Sequence, residues 1–130
     1  MEQKKKGKVQ FDCINVFINT SFNNTLVYLT DISGNVLVWS SAGCHGFKGS
    51  RKGTPYASRV TAKDVCKKFF ETYCPVTTSQ KVFAEIFLKG PGPGAESAVR
   101  ELSTFFFITK ISNITTIPHN GCRQKKARRV

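Results

Sequence analysis

The spacing of apolar residues changes along the chain, and this change restricts the fold more than any other feature. Runs rich in β-formers come first, at 9–18, 25–30 and 36–39. Two stripes at helical spacing follow, each succeeded by another β-rich run, at 81–88 and 108–114. Strand side chains repeat every two residues and helical ones every 3.6, so the two kinds of segment are distinguishable. Three strands, helix, strand, helix, strand implies a layered α/β domain with a mixed sheet, opening on an antiparallel meander. A chain of 130 residues suits one such domain, and no internal repeat is visible.

Local signals sharpen this order. In 25–30, Leu26, Tyr28 and Thr30 fall on one side and Val27 and Leu29 on the other, which predicts a strand covered on both faces. Asp31-Ile-Ser-Gly-Asn35 is turn chemistry. Residues 40–53 form a loop with four glycines, and Thr54 followed by Pro55 predicts a helix N-cap and first helical position. Ala62, Val65, Cys66, Phe69 and Tyr73 should face the sheet, with Arg59, Lys63, Lys67 and Glu71 turned away and Pro75 ending the helix. Ala95, Ala98, Val99, Leu102, Phe105 and Phe106 give the second stripe.

Charge narrows the function. Twenty Lys and Arg face eight Asp and Glu, a formal net charge of +12. Such an excess repels itself unless a polyanion neutralises it, and nucleic acid is the usual one. No apolar run approaches the roughly 20 residues that span a bilayer. Residues 1–8 are basic but lack the apolar stretch of a secretory signal and the long amphipathic pattern of a transit peptide. Five cysteines, at 13, 44, 66, 74 and 122, are odd in number and irregularly spaced. That pattern argues for small buried or half-buried thiols in a reducing compartment.

Candidate chemistry is sparse. The loop Gly43-Cys-His-Gly-Phe-Lys-Gly-Ser-Arg-Lys-Gly53 lacks the Lys and hydroxyl placement of a nucleotide-binding P-loop. Its Lys48, Arg51 and Lys52 among glycines suit RNA backbone contact, and composition alone fits a solvated basic loop equally well. Gly90-Pro-Gly-Pro-Gly94 opens a helix, so free N–H groups near Ala95 could receive an anion. Its two prolines remove donors, which favours a tight structural turn. His45 beside Cys44, and His119 with Cys122, lack the ligand pairs of a zinc site, so no metal or cofactor is expected. No nucleophile pair or paired carboxylates mark a catalytic centre. Asn120 precedes Gly121, whose bare backbone nitrogen can attack the Asn amide, making Asn120 a candidate isoaspartate site. After Gly121 come Arg123, Lys125, Lys126, Arg128 and Arg129 with no acid, a tail suited to ordering on phosphate.

Six motifs occur in order: Ser21-Phe-Asn-Asn-Thr25 with Thr30-Asp31; Gly46-Phe-Lys-Gly-Ser-Arg-Lys52; Thr54-Pro-Tyr-Ala57; Lys89-Gly-Pro-Gly-Pro-Gly94; Ile117-Pro-His-Asn-Gly-Cys-Arg123; and Lys126-Ala-Arg-Arg-Val130. Together they resemble the bacterial-type small-subunit ribosomal protein eleven family, from about Val9 onward. The resemblance implies a three-layer α/β domain of ribonuclease-H-like topology without that enzyme's acidic site. It divides the chain into a basic extension at 1–8, an rRNA-binding domain at 9–117 and a basic tail at 118–130. It implies a structural role on the platform of the small ribosomal subunit, bridging rRNA helices near the mRNA exit cleft, with ribosomal proteins seven and eighteen as neighbours. Carried over by motif, Asn23 and Asn24 would touch rRNA from the first turn, Lys48, Arg51 and Lys52 from the glycine loop, and Lys89 from the strand before the Gly-Pro repeat. His119, Asn120, Arg123, Lys125, Lys126, Arg128 and Arg129 would thread into it.

The sequence departs from the family at Cys44 and His45, where small residues are favoured, and at Phe105, where a helix-ending glycine is usual. Gln124 and Lys125 replace a proline pair. Abundant Lys and Phe with a short N-terminus fit an organelle-encoded member, mitochondrial or plastid, with a bacterial cytoplasm as the alternative. Two other functions compete: a ribonuclease-H-like nuclease, for which Asp12, Asp31 and Glu85 are the only strand-associated acids, and an RNA-binding regulator outside the ribosome.

Overall fold

A computed structural model describes residues 13–73 and 82–129. Five strands, β1 (Cys13–Thr20), β2 (Thr25–Thr30), β3 (Val36–Ser41), β4 (Phe83–Lys89) and β5 (Phe107–Asn113), and two helices, α1 (Pro55–Tyr73) and α2 (Ala95–Phe105), follow the expected order. They form one sheet in the order β3-β2-β1-β4-β5. The meander pairs antiparallel, whereas β1–β4 and β4–β5 pair parallel, so the sheet is mixed. The part of the first β-run before Cys13, Pro75 as the end of the first helix, and the extension at 1–8 lie outside the described residues.

The layering differs from the three layers that the resemblance implied. Crossovers β3-α1-β4 and β4-α2-β5 both join parallel strands, and both step across the sheet in the same direction. Such connections are right-handed almost without exception, so two steps in one direction put both helices on one face. Accordingly α1 packs on β2, β3 and α2, while α2 reaches β1. The described residues therefore form two layers, and the far face of the sheet carries no helix among them.

One core fills the space between the layers. Along β1, Ile14, Val16, Ile18 and Thr20 are buried toward the helices, and the intervening Cys13, Asn15, Phe17 and Asn19 are only half-buried. Val65, Cys66 and Phe69 of α1 and Ala98 and Leu102 of α2 close the core from above. Phe69 and Phe70 meet Phe106 at centroid distances of 5.7 and 5.4 Å. Burial pushes the Cys66 thiol up to about 12, so it remains a neutral core side chain. Arg59, Lys63, Lys67 and Glu71 point to solvent as expected, and Arg59 Nε reaches Glu101 of α2 at 3.1 Å. The expectation that β2 is covered on both faces holds at Val27, Leu29 and Thr30, which are buried, and fails at Leu26, which is exposed, and Tyr28, which is half-buried on the open face.

Thr54 caps α1 as expected, accepting the Ala57 N–H at 3.3 Å. The end of α2 needs no glycine, because Phe106 is already extended and Phe107 donates to Val82 O at 3.0 Å as β5 begins. Helix and strand are joined with no intervening loop.

Candidate nucleic-acid interface

Because β1, β3, β4 and β5 run in the same direction, the segments that follow them emerge at one end of the sheet. These are the turn at 21–24, the loop at 42–54, the Gly-Pro loop at 90–94 and the chain from 114 onward. The carboxyl end of an open α/β sheet is where ligands generally bind.

The turn is fastened by its own polar groups. Ser21 Oγ accepts the Asn24 N–H at 3.1 Å, and the Ser21 N–H donates to Asn24 O at 2.9 Å. Asn24 Oδ1 accepts the Thr25 N–H at 2.8 Å and so serves the turn itself, while Asn23 is exposed. Thr25 and Ser58 share a buried hydroxyl–hydroxyl hydrogen bond of 2.7 Å, fixing the turn's exit to α1.

The glycine loop contains two short 3₁₀ turns, Ala42–His45 and Gly49–Gly53. Its end packs against the first turn, where Gly53 lies on the backbone of Phe22 and Asn23. Its start is held to α1 through His45 by Asp64 and Lys68, which no sequence motif marks. His45 Nε2 lies 3.0 Å from Ser40 Oγ and 3.4 Å from Asp64 Oδ2, and Lys68 Nζ approaches the same oxygen at 3.0 Å. Burial raises the Asp64 carboxyl, but Lys68, the Ser40 hydroxyl and His45 outweigh it and hold the group below its ordinary value. An acid beside an apolar helical stripe was the available signal. Between these anchors Lys48 and Arg51 are exposed and Lys52 half-buried.

The Gly-Pro loop is a structural brace. Gly90 donates to Thr115 Oγ1 and Gly92 to Thr20 Oγ1, each at 3.1 Å, and the Thr20 hydroxyl donates to Gly90 O at 3.3 Å. Those two donors are therefore spent within the chain; the N–H groups near Ala95 considered from sequence are separate from them. Lys89, just before the loop, is exposed. Beyond β5, Ile114 N–H still donates to Leu88 O at 2.8 Å. From there to residue 129 the chain has no helix or strand and is exposed throughout, including His119, Asn120, Arg123, Lys125, Lys126, Arg128 and Arg129. Asn120 takes a left-handed φ of 68°.

Some cations are paired and others are not, and Lys63 and Lys67 of α1 and Lys110 of β5 are among those without a carboxylate partner in the described residues. On the helices, Arg59, Lys68 and Arg100 are matched by Glu101, Asp64 and Glu96. None of Lys48, Arg51, Lys52, Lys89 or the tail cations has a carboxylate partner among the described residues. Three of the sequence-assigned groups (turn, loop and Lys89) thus share one rigid edge, and the tail leaves from the same edge. Among the described residues no three His, Cys, Asp or Glu side chains gather as a metal site. Asp31 is engaged in its own turn by the N–H of Asn35 at 2.8 Å, and Asp12 lies outside the described residues. Cys44 and Cys122 are exposed, against the expectation of buried or half-buried thiols, and the described cysteines are free. No helix of the described residues is long and apolar enough to cross a membrane.

A sheet end bearing unpaired cations suits a protein that contacts a nucleic-acid backbone. The sequence profile of the family described as "Ribosomal protein S11" matches residues 14–129. Relatives named "Small ribosomal subunit protein uS11", from Rhodopseudomonas palustris (strain HaA2) and Bradyrhizobium sp. (strain ORS 278), are each 52% identical over 114 residues, covering 87% of this chain and 83% of theirs. The chain belongs to the ribosomal protein S11 family.

Proposed function

We propose that the chain is a constituent of the small ribosomal subunit that grips small-subunit rRNA with the carboxyl end of its sheet. The observation that carries this is the convergence there of Asn23, Lys48, Arg51, Lys52 and Lys89, with the basic tail departing from the same edge. Exposed lysines place point charges on phosphate, and arginines can fork onto two oxygens. A rigid edge plus a free tail suits a protein that holds several rRNA helices together, which is the platform role near the mRNA exit cleft. Ribosomal proteins seven and eighteen are its proposed neighbours. The strand order, with β2 alone reversed, supports a ribonuclease-H-like topology in a two-layer form. Division into a basic extension at 1–8, a domain at 9–117 and a tail at 118–130 belongs to the same proposal, as does an organellar ribosome as its home.

Replacing Lys48, Arg51 and Lys52 together by Ala tests the edge. The slope of log affinity for small-subunit rRNA against log salt should become shallower by roughly 2 to 3 if each cation meets one phosphate. Equal slopes for variant and parent would remove the loop from the interface.

Asn120 is proposed as an isoaspartate site: it is exposed and its successor Gly121 presents no side chain to hinder ring closure. Peptide mapping of aged protein should find a fraction of the 120–121 bond as isoaspartate, and unmodified Asn120 throughout would refute the assignment.

A further inference from the structure

The open face of the sheet carries a feature that RNA contact at the sheet end does not use. Trp39 stands opposite Tyr28, Tyr28 opposite Phe17, and Phe17 opposite Phe87. Four aromatic side chains, one each from β3, β2, β1 and β4, therefore form a single row across the sheet on the side away from the helices. Phe17 and Tyr28 stack at 5.0 Å with planes 8° apart, and Phe17 and Phe87 at 5.0 Å with planes 18° apart. Near-parallel rings at about the strand spacing must stand upright from the sheet, because rings lying flat would collide. At one end of the row Trp39 is 60% exposed, and it lines a groove of about 330 Å³ with Leu26, Tyr28 and Val36.

Three occupants can be weighed by chemistry. RNA bases stack on ring faces, and single-strand platforms add cations that follow the phosphates. Here the inner ring faces already cover one another, none of the five strands contains an arginine, and Glu85 and Lys110 lie opposite each other across β4 and β5. A second copy would bring two chains of net charge +12 together, which repel. A protein surface of aliphatic or aromatic side chains suits the groove, because contiguous exposed apolar patches and Trp or Tyr anchors mark such contacts. The patch also continues directly from the RNA-facing edge, since Leu26 follows Thr25 and the Asn24 turn.

We propose that this aromatic row is a docking face for a different protein of the same particle, whose uncharged or acidic surface inserts apolar side chains between Trp39, Tyr28, Leu26 and Val36. The inference rests on the ribosomal function proposed above. An apolar contact on this face would leave the sheet end free for rRNA, so one small domain would join protein to RNA on perpendicular surfaces.

Hydroxyl-radical footprinting of the full chain, read by mass spectrometry, tests it in free protein and in purified small subunits. Oxidation of Trp39 should fall at least tenfold in the subunit. Trp39→benzoylphenylalanine, irradiated in the subunit, should crosslink to a peptide of another protein. The double variant Trp39→Ser, Leu26→Ser should release that protein in a salt wash while the variant's rRNA salt slope stays unchanged. A crosslink to rRNA or to a second copy, or undiminished Trp39 oxidation in a chain that remains in the subunit, would overturn this inference alone. Absence of the chain from the subunit fraction before irradiation would overturn the ribosomal function and the docking face together.

Discussion

Truncation after Cys122 should weaken rRNA binding and flatten its salt dependence without altering the melting temperature. The removed segment carries Arg123, Lys125, Lys126, Arg128 and Arg129, all exposed, and contributes nothing to the core cluster. Stability therefore has no reason to change. Each phosphate that a cation neutralises releases counterions and adds roughly 0.7 to 0.9 to the salt slope, so the loss of five contacts would subtract about 3.5 to 4.5. A free segment must also give up conformational entropy to bind, which makes its net contribution smaller than the gross electrostatic term. Titration at several salt concentrations separates the two, because the slope counts contacts and the intercept reports the remainder. An unchanged slope would mean that the tail is solvated in the complex.

Gly90→Ala should produce the largest loss of stability of any substitution at the interface edge. Gly90 has φ of +100°, and a Cβ there would overlap the carbonyl oxygen of Thr20. Thr20 cannot retreat easily: its hydroxyl is bonded to Gly90 O and Gly92 N, and the neighbouring Asn19 is paired in register with Lys89. The left-handed backbone costs about 1–2 kcal/mol and forced overpacking about 1–3 kcal/mol more. A sum near 3 kcal/mol is a large share of the roughly 5–15 kcal/mol that holds a domain of this kind together. Thermal melts should show a midpoint lower by about 10 °C. Gly34→Ala is the control, with φ of +93° but nothing within 4 Å, so it should show the backbone penalty without the clash. Equal effects of the two substitutions would remove the close approach of the β1 and β4 ends from the account.

The element order was legible because period-two and period-3.6 patterns do not overlap over long segments, and because Thr54-Pro55 is a strong start signal. The side on which a helix packs was less legible. A stripe such as Ala62, Val65, Cys66 and Phe69 says that a helix faces the sheet, but not which face of the sheet receives it. Crossover handedness decides that, and it points to two layers once the strand order is known. The open face was hidden by the same ambiguity: Leu26 and Tyr28 are apolar, so the alternation in β2 reads as burial on both sides. The end of α2 was obscured because Phe105, Phe106, Phe107 and Ile108 are apolar through the whole change from helix to strand. At the candidate interface, the cations were legible from composition and motif. The braces that position them were not, since Thr20 meets Gly92 and His45 meets Asp64 across the fold rather than along the chain.

The most direct measurement is sedimentation of a native lysate through a sucrose gradient at moderate salt, with this chain located by mass spectrometry. Binding to rRNA through a cationic sheet end and tail, as a constituent of the particle, predicts comigration with the small subunit that persists after a high-salt wash. A peak among free proteins would contradict that role and leave only a basic domain with affinity for polyanions.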